Sequence, residues 1–245
     1  MSVVSSAPGS RVALRLFPLV LVPAVGAMVG ALASTGGADA WHWLHWICKP
    51  FVTVLILVAA WRAMPAVSVI YRRRIAAGMV FCLLGDVLLM LPQDLFVPGL
   101  VSFLVAHVLF IAAFSSDVRF AVRIWPWLAC LAVGAGMTFL LWPGMAPALR
   151  LPVLIYVFVL ATMVGQALGR ALYLHEQRDI GAFPARFAAL GALLFMISDS
   201  LLAWDRFRAA LPLAALYILT TYYAALWLIA VSVQRRAADS RGGQG

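Results

Sequence analysis

The chain has 245 residues, of which 65% are hydrophobic and only 11% charged, and its mean hydropathy is +1.01. Soluble domains carry roughly 45–50% apolar and about 25% charged residues, so this composition excludes a soluble globular protein and points to an all-α polytopic membrane protein. The net charge of +9 does not imply nucleic acid, because the basic residues lie between apolar spans, where they set orientation.

A membrane-crossing helix needs about 20 mostly apolar residues. Eight such spans are predicted, at about 12–33, 47–64, 75–92, 97–114, 122–141, 151–171, 185–204 and 211–233. Arg11 and Arg15 precede the first as they would a signal peptide, but the run from Leu16 to Leu32 is long enough to span and reads as a retained helix. Residues 1–10 and 236–245 read as disordered cytoplasmic tails, leaving 11–235 as one eight-helix membrane domain. Trp41, Trp43 and Trp46, with His42 and His45, form an aromatic belt before the second span, which Lys49 and Pro50 open. Short links at 92–96 and 205–210 make helices 3–4 and 7–8 antiparallel hairpins. Cys48, Cys82 and Cys130 lie in or beside apolar spans, without disulfide or metal spacing, and read as small packing residues.

The basic residues divide unevenly. Arg11, Arg15, Arg62, Arg72, Arg73, Arg74, Arg119, Arg123, Arg170, Arg178, Arg186, Arg235, Arg236 and Arg241 fall on one side, and only Lys49, Arg150, Arg206 and Arg208 on the other. The positive-inside rule then places both termini in the cytoplasm of a bacterial inner (plasma) membrane.

Two charges stand apart from the links. Asp86 lies within GMVFCLLGDVLLML (78–91) and Asp199 within GALLFMISDSLLAW (191–204). A carboxylate at the centre of a membrane helix costs roughly 2.5–3.5 kcal/mol on insertion scales. The segments align without gaps, Gly78 with Gly191, Gly85 with Ser198 and Asp86 with Asp199, and Pro50 and Pro152 each open a span upstream. The fold expected is therefore eight transmembrane helices as two parallel four-helix repeats, about 12–114 and 122–233. If the halves face each other, the two carboxylates share one cavity. His107 in the fourth span, Thr220, Thr221, Tyr222 and Tyr223 in the eighth, and Lys49 fall near the same depth, with Asp205, Arg206 and Arg208 at the outer mouth.

The motifs KPFVT (49–53), AGMVFCLLGDVLLML (77–91), GLVSFLVAHVLFIAAF (99–114), LGALLFMISDSLLAW (190–204) and TYYAALWLI (221–229) together resemble the YhhN family, bacterial relatives of eukaryotic membrane lysoplasmalogenases. The resemblance covers nearly everything after the first helix. Leu226 stands where the family often has Gln, and Phe110 where it often has Tyr. The resemblance implies hydrolysis of the vinyl ether bond of a lysoplasmalogen, a lysophospholipid, to a fatty aldehyde and glycerophospho-choline or glycerophospho-ethanolamine. It implies Asp86 and Asp199 as the catalytic acidic pair, with no metal or other cofactor. No obligatory protein partner is evident.

The residues suit this chemistry. Vinyl ether hydrolysis needs an acid to protonate carbon and a base to activate water, and its oxocarbenium-like cation resembles that of glycosidases, which use two carboxylates. Ser198 beside Asp199 favours Asp199 as the base and Asp86 as the acid. Lys49, Arg206 or Arg208 is expected to meet the phosphate, while Asp205 sits beside them at the mouth and His107, Tyr222 and Tyr223 orient the reacting groups. An ester-cleaving lysophospholipase lacks support, because no GxSxG elbow occurs. The alternative is a proton-coupled membrane transporter of a lipid or small solute using the same acidic pair.

Overall fold

The computed structural model describes residues 8–34 and 39–235. Most of the two expected tails (1–7 and 236–245), including Arg236 and Arg241, lies outside the described residues. The described residues form α1 (Pro8–Ala33), α2 (Asp39–Arg62), α3 (Val69–Met90), α4 (Phe96–Phe114), α5 (Ile124–Leu141), α6 (Pro147–Glu176), α7 (Ala182–Phe207) and α8 (Ala214–Val231), with a 3₁₀ turn at Trp142–Gly144.

Several helices extend beyond their apolar runs. α2 begins at Asp39, so the Trp-rich belt is its first two turns, and α6 begins at Pro147. Pro50 and Pro152 therefore lie inside helices rather than opening them. α3 starts six residues before the predicted span because Ser68 caps it, accepting from Tyr71 N at 3.0 Å. Arg72, Arg73 and Arg74 are good helix formers and continue that turn. Asp205 to Phe207 complete the last turn of α7, so that hairpin link is 208–213.

Six helices, α2 and α4 through α8, are long and apolar enough to cross a membrane. In α3 every 18-residue window includes Arg73, Arg74 and Asp86, and the described apolar part of α1, Phe17–Ala33, is shorter than 18 residues. Exposed Phe139, Val22, Leu151 and Trp125 are spread over several helices, as expected where hydrocarbon surrounds the bundle.

α3 packs on α4 and α7 on α8, as the short links require. The aligned glycines explain how closely. A Cβ on Gly78 would collide with the Phe110 ring of α4, and one on Gly191 would lie 2.8 Å from Ala225 O of α8. Side-chain rings yield more readily than backbone. Gly191→Ala is therefore expected to cost about 1–3 kcal/mol, read as a lowered thermal transition of the detergent-solubilised protein.

The segment joining α4 to α5 is fastened to α6. Gln166 Oε1 accepts from Ala121 N at 2.8 Å, and its Nε2 donates to Phe114 O and Arg119 O. One turn on, Arg170 donates to both Asp117 oxygens at 2.8 and 2.6 Å, and its guanidinium lies 5.0 Å from the centroid of the Tyr71 ring. The Tyr71 hydroxyl is 2.8 Å from Ser232 Oγ, so α3, α6, α8 and the joining segment meet at one point. Arg170 is thus wholly buried, not the loop charge its position among the basic residues suggested.

Candidate active site

Asp86 and Asp199 line one cavity of about 220 Å³, bounded by residues of α2 through α8. Its remaining polar lining includes Lys49, Thr138, Tyr156, Ser198, Ser200 and Tyr222; Leu89, Phe103, Met137, Leu160 and Met196 belong to the apolar wall. The cavity thus has a small polar centre within hydrocarbon side chains.

The two carboxylates have different surroundings. Asp86, on α3, is 1% exposed. Its Oδ2 accepts from Thr53 Oγ1 of α2 at 2.7 Å and from the Tyr222 hydroxyl of α8 at 2.8 Å. Lys49 Nζ lies 3.7 Å from Oδ1. Lys49 and Thr53 are four apart, so one face of α2 presents both to the same carboxylate. Asp199, on α7, accepts from the Tyr156 hydroxyl of α6 at 2.5 Å. Among the described residues, the carboxylate beside Lys49 is the one matched to a cation, and Asp199 has a single neutral donor.

The other expected residues divide into four groups. Lys49 and Tyr222 join Asp86 as described. Ser198 lines the cavity, but its hydroxyl donates to Ile218 O at 3.0 Å, tying α7 to α8 instead of supporting Asp199. His107 is fully buried against the rings of Tyr156 and Phe195, with centroids 5.3 and 4.8 Å away, and neither of its nitrogens has a hydrogen-bond partner among the described residues. It stands behind the cavity wall formed by Tyr156. Tyr223 is also buried behind the lining, its hydroxyl without a partner among the described residues and its ring 5.5 Å from that of Tyr222.

The outer residues hold structure. Asp205 Oδ1 accepts from Leu211 N at 2.7 Å and fixes the α7–α8 link. Arg206 donates to Asp94 at 2.9 Å, and its guanidinium lies 4.3 Å from the centroid of the Phe96 ring, a cavity-wall side chain. Arg208 is exposed at the C-cap of α7.

Thr53 and Tyr156 are missing from the residues singled out in the sequence. Thr53 lay in view within KPFVT. Tyr156, in LPVLIYVFVL, carries the signal that drew attention to the Tyr222–Tyr223 pair, a phenol inside an apolar span, but as a lone residue.

The YhhN family model matches residues 44–233, which contain every cavity residue just described. The chain belongs to the YhhN family. Among its YhhN-like relatives, the human "Lysoplasmalogenase TMEM86B" is 36% identical over 166 residues, which cover 67% of this chain and 65% of the human protein. The pig protein of the same name is 34% identical over 191 residues, covering 77% of this chain and 74% of the relative. The "Uncharacterized membrane protein YhhN" of Escherichia coli O157:H7 is 29% identical over 198 residues, covering 78% and 88%. No solved structure matches the chain. Family membership and six spanning-length helices make this an integral membrane protein. The two departures from the family's habit, Phe110 and Leu226, are both fully buried and neither lines the cavity, so they alter its supporting packing and not its walls.

Proposed function

We propose that the protein is a lysoplasmalogenase-type ether hydrolase, with Asp86 and Asp199 as its acid–base pair. One observation carries the reading: two carboxylates from different helices line one mostly apolar cavity. The lysoplasmalogenase relatives support the substrate class.

The hydrogen bonds favour roles opposite to those expected from Ser198. Asp86 receives two hydroxyl donors and faces Lys49, an arrangement that stabilises an ionised carboxylate. It is the base. Asp199 has no cation against it and is the acid, its carboxyl aligned by Tyr156. Asp199 gives its proton to the alkenyl carbon two bonds from the ether oxygen, and the adjacent carbon becomes the oxocarbenium centre. Asp86 takes a proton from water as that water adds to the cation, and its negative charge also stabilises the cation. As the hemiacetal breaks its bond to the glycerol oxygen, Asp86 gives that oxygen the proton it took from water and Asp199 takes the hydroxyl proton, which yields aldehyde and glycerophosphodiester and restores both carboxyls. Lys49, the cation on the cavity lining, is placed to meet the phosphate.

All eight helices span the membrane in this reading, as two parallel four-helix repeats in a plasma membrane, with both termini cytoplasmic. Supporting this, α2 packs against α8 as α6 packs against α4, the exchange a two-fold relation between halves requires.

The test is aldehyde release by purified protein from a panel of vinyl-ether, alkyl-ether and acyl lysolipids. Aldehyde from the vinyl-ether members alone is expected. No aldehyde, together with proton-dependent flux in liposomes, replaces the enzyme with the transporter. Thr53→Val and Tyr222→Phe each remove one donor to Asp86. Such a bond to a charged group contributes about 1.5–3 kcal/mol, so each variant is expected to lower kcat at least about tenfold.

A further inference from the structure

A second cavity, about 230 Å³ and almost wholly apolar, lies between α4 and α6. Val97, Val101, Leu151 and Ile155 form its outer rim and are all exposed. Leu100 and Tyr156 form its floor, and both also line the cavity of Asp86 and Asp199. Leu100 and Tyr156 are thus common to the groove and the inner cavity.

Among the described residues, the two related seams of the bundle are packed differently. The related seam between α2 and α8 is covered, because α1 packs on both helices, with Thr220 Oγ1 directed at Met28 Sδ, 3.7 Å away. α5, the counterpart of α1, packs on α6 and touches α7, with no comparable packing on α4 among the described residues. The two halves thus differ in whether a neighbouring helix packs over the seam.

We propose that the α4–α6 groove is a lateral portal for the hydrocarbon chain of a lysolipid, with Leu100 and Tyr156 as its gate. The proposal rests on the lysolipid reading of the inner cavity. The occupant is fixed by continuity and chemistry: the groove is apolar, its rim faces lipid, and it meets the carboxylate cavity at shared residues. Tyr156 links passage to chemistry. Its hydroxyl is bonded to Asp199 and its ring covers His107, so a displaced ring releases the Asp199 carboxyl as the chain enters. The groove lies near the first turns of α4 and α6, which places the portal in the leaflet opposite the termini.

The test uses an alkyl-ether lysolipid, which cannot be hydrolysed, carrying a photoactivatable diazirine on its chain. Full-length protein in lipid nanodiscs is irradiated and the adducts are mapped by peptide mass spectrometry. Adducts are expected on both the groove and the α5 wall of the inner cavity around Met137. Val101→Trp with Ile155→Trp, which fills the groove, is expected to lose the Met137 adducts. Val108→Trp, elsewhere on the exposed face of α4, is expected to keep them. Ile155→Trp alone carries the same expectation if the double variant lacks the wild-type thermal transition. Undiminished Met137 adducts in a folded, groove-filled variant overturn the portal. Since labelling needs no turnover, wild-type labelling at Met137 without aldehyde release contradicts the hydrolase alone, while absence of wild-type labelling there contradicts the lysolipid site and the portal together.

Discussion

Asp86→Asn and Asp199→Asn are each expected to reduce aldehyde release by about 10²–10⁴-fold, the usual contribution of a positioned acid or base. The substitutions are nearly isosteric. Asn at 86 keeps an oxygen to accept from Thr53 and Tyr222, and Asn at 199 keeps one for Tyr156. Neither amide can deliver or accept the required proton. The variants should therefore retain the thermal transition and gel-filtration profile of the parent while losing turnover. The double variant should be no worse than about the poorer single one, because residues acting as one unit are not additive. Full activity in either folded single variant removes the acid–base pair from the mechanism.

Arg170→Met should be the most damaging substitution away from the cavity. Removing one partner of a buried ion pair costs about 3–5 kcal/mol, because the other charge is left behind. The Asp117 side chain remains 32% exposed, so about 3 kcal/mol is the expected loss, together with the contact to Tyr71. The measurement is thermal or denaturant unfolding in detergent. Asp117→Asn with Arg170→Met should recover part of the loss, since no unmatched charge remains. An unchanged transition in the single variant would mean that the joining segment between α4 and α5 is held by Gln166 alone.

The extent to which the sequence foretold this arrangement depends on the physical signal involved. The eight α-helices of the described residues are legible because long apolar runs have few other uses. Their ends are not, since Ser68, Asp39 and Pro147 extend helices through polar residues that hydropathy discards. The meeting of Asp86 and Asp199 was anticipated from two aligned segments, whose glycines pack α3 on α4 and α7 on α8. The partners of each carboxylate were only half visible. Lys49 and Tyr222 stood out as polar residues in apolar surroundings, whereas Thr53 and Tyr156 differ little from ordinary helix-facing side chains until α2 and α6 are docked. Ser198 was misleading, since adjacency in sequence puts neighbouring helical side chains about 100° apart, and its hydroxyl turns to Ile218 O. Arg170 looked like an interfacial charge because its partner, Asp117, lies 53 positions away.

The central claim is that this cavity protonates an alkenyl carbon and delivers water to the resulting cation. It is tested most directly by running the purified wild-type protein on a vinyl-ether lysolipid in D₂O and trapping the aldehyde at once with borohydride. The account predicts one deuterium on the carbon next to the former carbonyl, absent when the reaction runs in H₂O. Aldehyde without that deuterium, or no aldehyde at all, contradicts it.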